Sequence, residues 1–515
     1  MGARDRGRSM PTSAQAKLNA VAIAGEGRPY TALAALAHAL IWSVVPALLF
    51  GNMHQDTLEA AYWGGDLALG YAEHPPLLSW VVGLALRIGH APIFTLLAIS
   101  QIGMVVAAIY VWRTVRLYAG PSSAAMAVTL ALISPAATFY GVQVNHNSFL
   151  APFWAAAMFY GLAYLEGGKW RDAALFAVAA GLGLLVKYEM AFIVVCLFAL
   201  APVLPRFRAA FRRPATYFAI VIVAAIIAPH VVWLAHNSGP SVSYALGRHK
   251  MTDASRVVVS AGNALVGLIV LFAVPAILLL VARARCGAAE RPAWLSARGA
   301  IGALLAFGPF LVMLIGVAAT LQIAKPLWTT PMTSSTAAGL MLLFPLRDEG
   351  AGGERRIATA TVLLSSVAMI GFLAYLYVAD LVTAASGEPM VTYAADTRVL
   401  GAVVENFWRA HTSEPLECIV IAERSLAPSP VLWTLSRPHY VDFIDGFWST
   451  PSRIARCRKS GGVVVLTHIP GEQAIFDGFP AARSAPRLSV VVPAAFGFSG
   501  ATWPVELIFL APNGG

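Results

Sequence analysis

Apolar runs of about twenty residues, separated by short basic segments, recur from residue 31 to residue 378 of this 515-residue chain. That is the length an α-helix needs to cross the hydrocarbon core of a bilayer, about 30 Å at about 1.5 Å per residue. A backbone in lipid must satisfy its own N–H and C=O groups, which restricts what such runs can build. The expected fold is therefore a polytopic α-helical membrane protein. Composition agrees, with 58% hydrophobic and only 12% charged residues, far more apolar than a soluble globular chain.

Spans are expected near residues 31–50, 93–112, 121–139, 148–165, 172–186, 188–203, 215–235, 258–282, 299–319, 327–345 and 357–378, about 11 transmembrane helices. Residues 76–92 are shorter and interrupted, and read as an interfacial helix within the first loop, 51–92. The net charge of +10 does not indicate nucleic acid, because the basic residues sit in clusters between the runs. Arg4, Arg6 and Arg8, then Arg113 and Arg116, Arg206 to Arg213, Arg283 and Arg285, and Arg347 to Arg356 follow the positive-inside pattern. This places the tail 1–30 in the cytoplasm and, after eleven crossings, the C-terminus outside. The first 30 residues are polar and basic and the run after them is span-length, unlike a cleaved signal peptide.

Beyond about Asp380 the composition changes. Strand-like runs at Cys418–Ala422, Tyr440–Phe443, Gly462–Leu466, Leu488–Val492 and Val505–Leu510 alternate in part with helix-compatible stretches at Val431–Ser436 and Ser452–Lys459. Residues 387–515 are expected to form a small α/β domain outside the membrane, following the membrane domain 31–380. No Walker A sequence or strand-linked G-x-G-x-x-G is present, so no nucleotide cofactor is expected. Cys418 and Cys457 both fall in this domain, where oxidation is permitted, and the sequence leaves their pairing open. Cys196 and Cys286 lie on the inner side and read as inert.

The chemistry concentrates in the loops of the outer side. Between Asp56 and Leu77 stand Asp56, Glu59, Asp66, Glu73 and His74 without a single Lys or Arg. Later loops on that side carry Asn145 and Asn147, Lys187-Tyr188-Glu189, Arg248, and Lys325-Pro326-Leu327-Trp328. A cation at membrane depth is costly and is retained for a partner or an anionic ligand. A membrane-borne phosphate suits Lys187, Arg248 and Lys325. Each position also has a plainer use. Asp56 suits an N-cap of a helix Thr57–Leu69, and Glu59 suits its solvated face. His74 suits a proline-rich turn. Lys187 suits snorkelling or a local pair with Glu189, and Asn145 and Asn147 suit caps. Trp63, Tyr71 and Trp80 suit an interfacial aromatic belt as well as a sugar platform. Asp66 reads as solvated.

The spacing of Asp56, Glu59, Trp63-Gly64, Gly70-Tyr71 and His74-Pro75-Pro76-Leu77-x-x-Trp80 resembles the first outer loop of membrane glycosyltransferases of the C-type fold. The nearest group is the protein-mannosyltransferase-like family that includes bacterial aminoarabinose transferases and rhizobial lipid A sugar transferases. Asn145-x-Asn147, Gly181 to Tyr188, Trp233 to Arg248, and Lys325-Pro-Leu-Trp328-x-x-Pro331 are similar to that family too. The resemblance spans most of residues 31–345 and, more loosely, the outer tail. It implies a multi-pass inner-membrane enzyme that moves a sugar from a polyprenyl-phosphate donor to a lipid or glycolipid acceptor at the periplasmic face.

The resemblance further implies Asp56 as catalytic base with Glu59 in support. Glu73 and His74 would serve the donor phosphate or a divalent metal, and Lys187, Tyr188, Arg248, Lys325, Asn147, Trp63 and Tyr71 would bind substrate. His at position 74 stands where aminoarabinose transferases carry a basic partner, which leaves metal dependence open. A protein acceptor, a lipid or sugar transporter, and a non-catalytic envelope-assembly protein are the alternatives.

Overall fold

In the computed structural model, the described residues are 29–247, 251–288, 296–386, 392–434, 436–443, 451–467, 472–495, 498 and 502–512. The tail 1–28 and the segment containing Arg248 lie outside them. Every expected span carries a helix. Among the described residues, seven helices are long and apolar enough to cross a bilayer: Tyr30–Leu49, Pro92–Arg116, His146–Gly167, Pro214–His236, Ala254–Cys286, Ala297–Thr320 and Gly350–Thr383. Met190–Val203 with Pro205–Arg212 makes an eighth if that pair, bent by 115°, is one span.

The other expected spans are shorter helices, for identifiable reasons. Pro121–Leu132 stops just before Ser134-Pro135, and Met332–Leu343 begins only after Pro331. A proline supplies no backbone N–H to the helical hydrogen-bond ladder and disfavours its continuation toward the N-terminus. Twelve residues reach only about 18 Å, so neither helix spans alone. Both are instead walled in on nearly every side. Trp170–Val186 fills the remaining position. The shorter helix expected within residues 76–92 is present as Leu77–Ile88.

The bundle is apolar outside and selectively polar within, as a lipid environment requires. Leu265, Ile277, Leu280, Leu363, Val367 and Ile370 are exposed on the long helices. Between Pro29–Leu49 and Gly350–Ser386, the Thr31 hydroxyl donates to Glu354 at 2.8 Å. Lower on the same interface His38 and Trp42 meet the Ser365 hydroxyl at 2.9 and 3.1 Å. With no hydrophobic drive between helices in lipid, such hydrogen bonds help select the pairing.

The C-terminal region holds a five-stranded sheet ordered β2-β1-β3-β5-β4. Its strands are β1 (Cys418–Ile421), β2 (His439–Asp442), β3 (Gly462–Thr467), β4 (Arg487–Val492) and β5 (Trp503–Leu510). β1 runs parallel to β2 and β3, while β5 is antiparallel to β3 and β4. Strand alternation divides the apolar residues between two faces. Ile419, Ile421, Val463 and Val465 join the core that continues into the membrane helices, whereas Val420, Val464 and Ile508 pack under the opposite face with Ile475 and Phe479. Cys418 and Cys457 form a disulfide, tying β1 to the helix Pro451–Ser460.

Candidate active site

The first loop folds back on the bundle as two helices, Gln55–Trp63 and Leu77–Ile88. They touch through glycines: a side chain at Gly64 would meet the Ser79 carbonyl oxygen at 2.2 Å and the Gly83 backbone at 2.8 Å. A side chain at Gly70 would strike the Trp233 indole at 2.3 Å. The Gly64, Gly70 and Trp233 portions of the motif therefore serve backbone approach. Trp80 closes the loop by donating its indole N–H to the Ala68 carbonyl at 2.7 Å.

The helix Gln55–Trp63 is capped by His54, whose side chain accepts from the Asp56 backbone N–H at 3.3 Å. This sets aside the plainer use of Asp56 as the cap of a helix Thr57–Leu69. Asp56 stands inside the first turn, where a carboxylate also complements the helix dipole. Burial lowers the His54 imidazole pKa below its usual value against the opposing pull of the Asp56 charge. Asn145 donates to the Asp56 carboxylate at 3.3 Å. Asn145 is itself locked, because its side-chain oxygen caps His146–Gly167 in a capping box with Ser148. Just before it, Val144 holds a left-handed backbone (φ 43°), a costly geometry for a β-branched residue. The Thr57 hydroxyl donates to the Gln143 carbonyl and clamps the same turn to the helix Gln55–Trp63.

A cavity of about 420 Å³ opens where these elements meet the ends of the membrane helices. Asp56, Glu59, Glu73, His74, Asn147, Lys187, Tyr188 and Lys325 all line it. Lys187, almost buried, donates to the Asn147 side-chain oxygen at 2.6 Å, pairs with Glu189 at 2.8 Å, and stands 5.8 Å from the Trp328 ring centre. The pair with Glu189 and the cavity position thus coexist. Tyr188 is oriented by hydrogen bonds of 2.8 Å to both His230 and Ser241. His74 lies over His146 with ring centres 3.8 Å apart.

Trp63 and Tyr71 are placed differently. They are 1% and 0% exposed, stacked on one another at 5.3 Å and 3°, and absent from the cavity wall. The stack backs the loop and presents an edge to His74. It gives no free ring face to a sugar. Arg248 lies outside the described residues, although Tyr244 and Leu246 just before it line the cavity.

One charged residue of the wall was not foreseen. Arg424, from the loop after β1, reaches into the cavity and bridges Glu59 at 3.1 Å and Glu73 at 2.7 Å. β1 has β2 on one side and β3 on the other, so its C-terminal end is a topological switch point, where α/β sheets place ligand-contacting loops. The residue order strand-Glu423-Arg424 was the available signal. Neighbouring contacts fix the C-terminal region on the first loop. The Tyr62 hydroxyl donates to Asp442 at 2.8 Å, and Asn52 donates to the Ser425 carbonyl at 2.9 Å.

Asp66, expected to be solvated, is instead paired with Arg453 at 2.6 Å and His439 at 2.7 Å. Burial pulls its pKa up, but the His439 and Arg453 partners outweigh it and hold the carboxyl below its usual value. Glu59, Glu73 and His74 offer donor atoms all within 4.8 Å of one another. Divalent ions take such ligands at about 2.0–2.6 Å, so a modest contraction would let the three hold one ion, in competition with Arg424.

Residues 73–233 match the family model described as dolichyl-phosphate-mannose-protein mannosyltransferase. No curated protein sequence matches. Among solved structures, ArnT from Cupriavidus metallidurans bound to undecaprenyl phosphate aligns over 93% of this chain and 98% of its own. The identity is 12% and the TM-score 0.57. The same protein in the apo state gives 13% identity over 92% and 97%, with a TM-score of 0.55. The chain thus shares the C-type glycosyltransferase fold of ArnT.

Proposed function

We propose that this chain is a membrane glycosyltransferase that moves a sugar from a polyprenyl-phosphate donor to an envelope acceptor, at the periplasmic face of a bacterial inner membrane. The observation that carries the reading is one cavity at the helix ends where a lightly held carboxylate faces two lysines across about 420 Å³. The fold it shares with a protein solved with undecaprenyl phosphate bound supports the donor class.

In this reading Asp56 accepts the proton of an acceptor hydroxyl as that oxygen attacks the anomeric carbon. The bond from that carbon to the phosphate oxygen breaks, and its electron pair leaves with the polyprenyl phosphate. Attack from the face opposite the phosphate inverts the anomeric centre. Asn145 aims the Asp56 carboxylate. Lys187 and Lys325 meet the charge that grows on the departing phosphate, and such groups count most where water is excluded. Glu59, Glu73 and His74 would hold a divalent ion only with Arg424 displaced; with Arg424 bridging the two carboxylates, its guanidinium supplies the positive charge there.

Lipid A or another glycolipid is the proposed acceptor. A hydroxyl-bearing polypeptide is the second reading, favoured by the family model over residues 73–233. Mass spectrometry of envelope lipids and proteins, with wild type and with Asp56→Asn, separates them. One added sugar on lipid A, absent with the inserted variant, supports the first; the same increment on protein alone supports the second. Unchanged transfer by Asp56→Asn removes Asp56 as the base.

A further inference from the structure

The cavity contains a cation that the membrane helices do not supply. Arg424 comes from the C-terminal sheet and places two separate guanidinium nitrogens on two different carboxylates, Glu59 and Glu73. All three side chains are well shielded, with 17%, 6% and 4% exposure. Bridging two carboxylates at the wall of a catalytic cavity is the work a divalent ion does. Here a planar fork does it with a charge that no ordinary pH removes.

The loop carrying this arginine is built to hold it there. Glu423 accepts from the backbone N–H groups of Leu426 and Ala427, each at 2.9 Å, which fixes the turn around Arg424. The Ser425 carbonyl is anchored by Asn52 at the start of the first loop. Arg424 is therefore delivered by a rigid turn tied to the loop that carries its two partners.

We propose that Arg424 is the resident cation of this site and takes the place of a divalent ion between Glu59 and Glu73. An ion and a guanidinium cannot share the position. They compete for the same carboxylate oxygens and repel at a few ångströms. The native chain then binds divalent metal weakly, and removal of Arg424 uncovers a metal site formed by Glu59, Glu73 and His74. The proposal concerns cation occupancy alone and is tested without any sugar transfer, so it stands or falls separately from the transferase reading.

The test uses the full chain in lipid nanodiscs, titrated with Mn²⁺ and followed by loss of the free-ion electron paramagnetic resonance signal. Arg424→Gln is expected to bind one Mn²⁺ at least tenfold more tightly than wild type, and adding Glu73→Gln to that variant abolishes the gain. Arg424→Lys, which keeps a cation, stays close to wild type. Equal binding by wild type and Arg424→Gln overturns the proposal. Should Arg424→Gln fail to fold, wild type decides. One tightly bound Mn²⁺ that Glu73→Gln removes refutes a resident arginine; weak binding that Glu73→Gln leaves unchanged upholds it.

Discussion

The first loop carries acidic residues on two faces, and both faces receive arginine from the C-terminal region. On one face Glu59 and Glu73 meet Arg424 at the cavity wall, with Asp56 one helical turn away. On the other, Asp66 meets Arg453 and His439 outside the cavity. The partners are chemically alike and the consequences are not. Carboxylates beside a cavity can act on what enters it, whereas a carboxylate sealed between two parts of the fold contributes to their docking. Identity as Asp or Glu says little here; the neighbouring space decides.

Four measurements can break or sharpen that division. The largest effect is expected at Asp56. Asp56→Asn should lower transfer by about 100- to 10,000-fold, the usual share of a positioned general base, with an unchanged melting temperature. Lys187→Met comes next, at about 100-fold in kcat, because under the proposed function it removes one cation facing the departing phosphate. A loss confined to KM would move Lys187 from transition-state stabilisation to ground-state binding.

Asp66→Asn should behave in the opposite way, costing about 2 kcal/mol of stability through a lost charged hydrogen-bond set while transfer persists. The sign of its pH dependence follows from a folded pKa held below the usual 3.8. Its contribution is complete above that usual value and is lost as the pH falls through the lowered folded one. Acid melting curves of wild type and Asp66→Asn should therefore converge below about pH 4. Abolished transfer with unaltered melting in Asp66→Asn would merge the two faces into one site. The smallest effect is Trp80→Phe, which forfeits the bond to the Ala68 carbonyl and should cost about 1 kcal/mol, read as a small drop in melting temperature.

Much of the site was legible in the chain because its parts lie within short motifs. Asp56, Glu59, Glu73 and His74 fall inside one loop, and Asn147, Lys187, Tyr188 and Lys325 begin or flank helices that the hydropathy pattern locates. Their convergence is seen in the one cavity that they all line. The same motif misled at Trp63 and Tyr71, whose aromatic rings fit a sugar platform on paper and are stacked into the core. Sequence spacing cannot separate a ring facing a cavity from one facing its neighbour. Arg424 was missed for a different reason: its place after a strand was legible, but its partners were not. It lies 351 positions from Glu73, and no local pattern encodes so distant a contact.

The sequence by itself determined a multi-helix membrane protein with a C-terminal α/β region, because span length and strand alternation are local and periodic. It also marked the acidic loop and the lysines, because charge at membrane depth is rare and costly. Tertiary structure alone decided which carboxylates face the cavity, which are sealed against the sheet, and which cation holds Glu59 and Glu73. Those outcomes rest on glycine contacts, a strand-end turn and a buried guanidinium that bring together segments far apart in the chain.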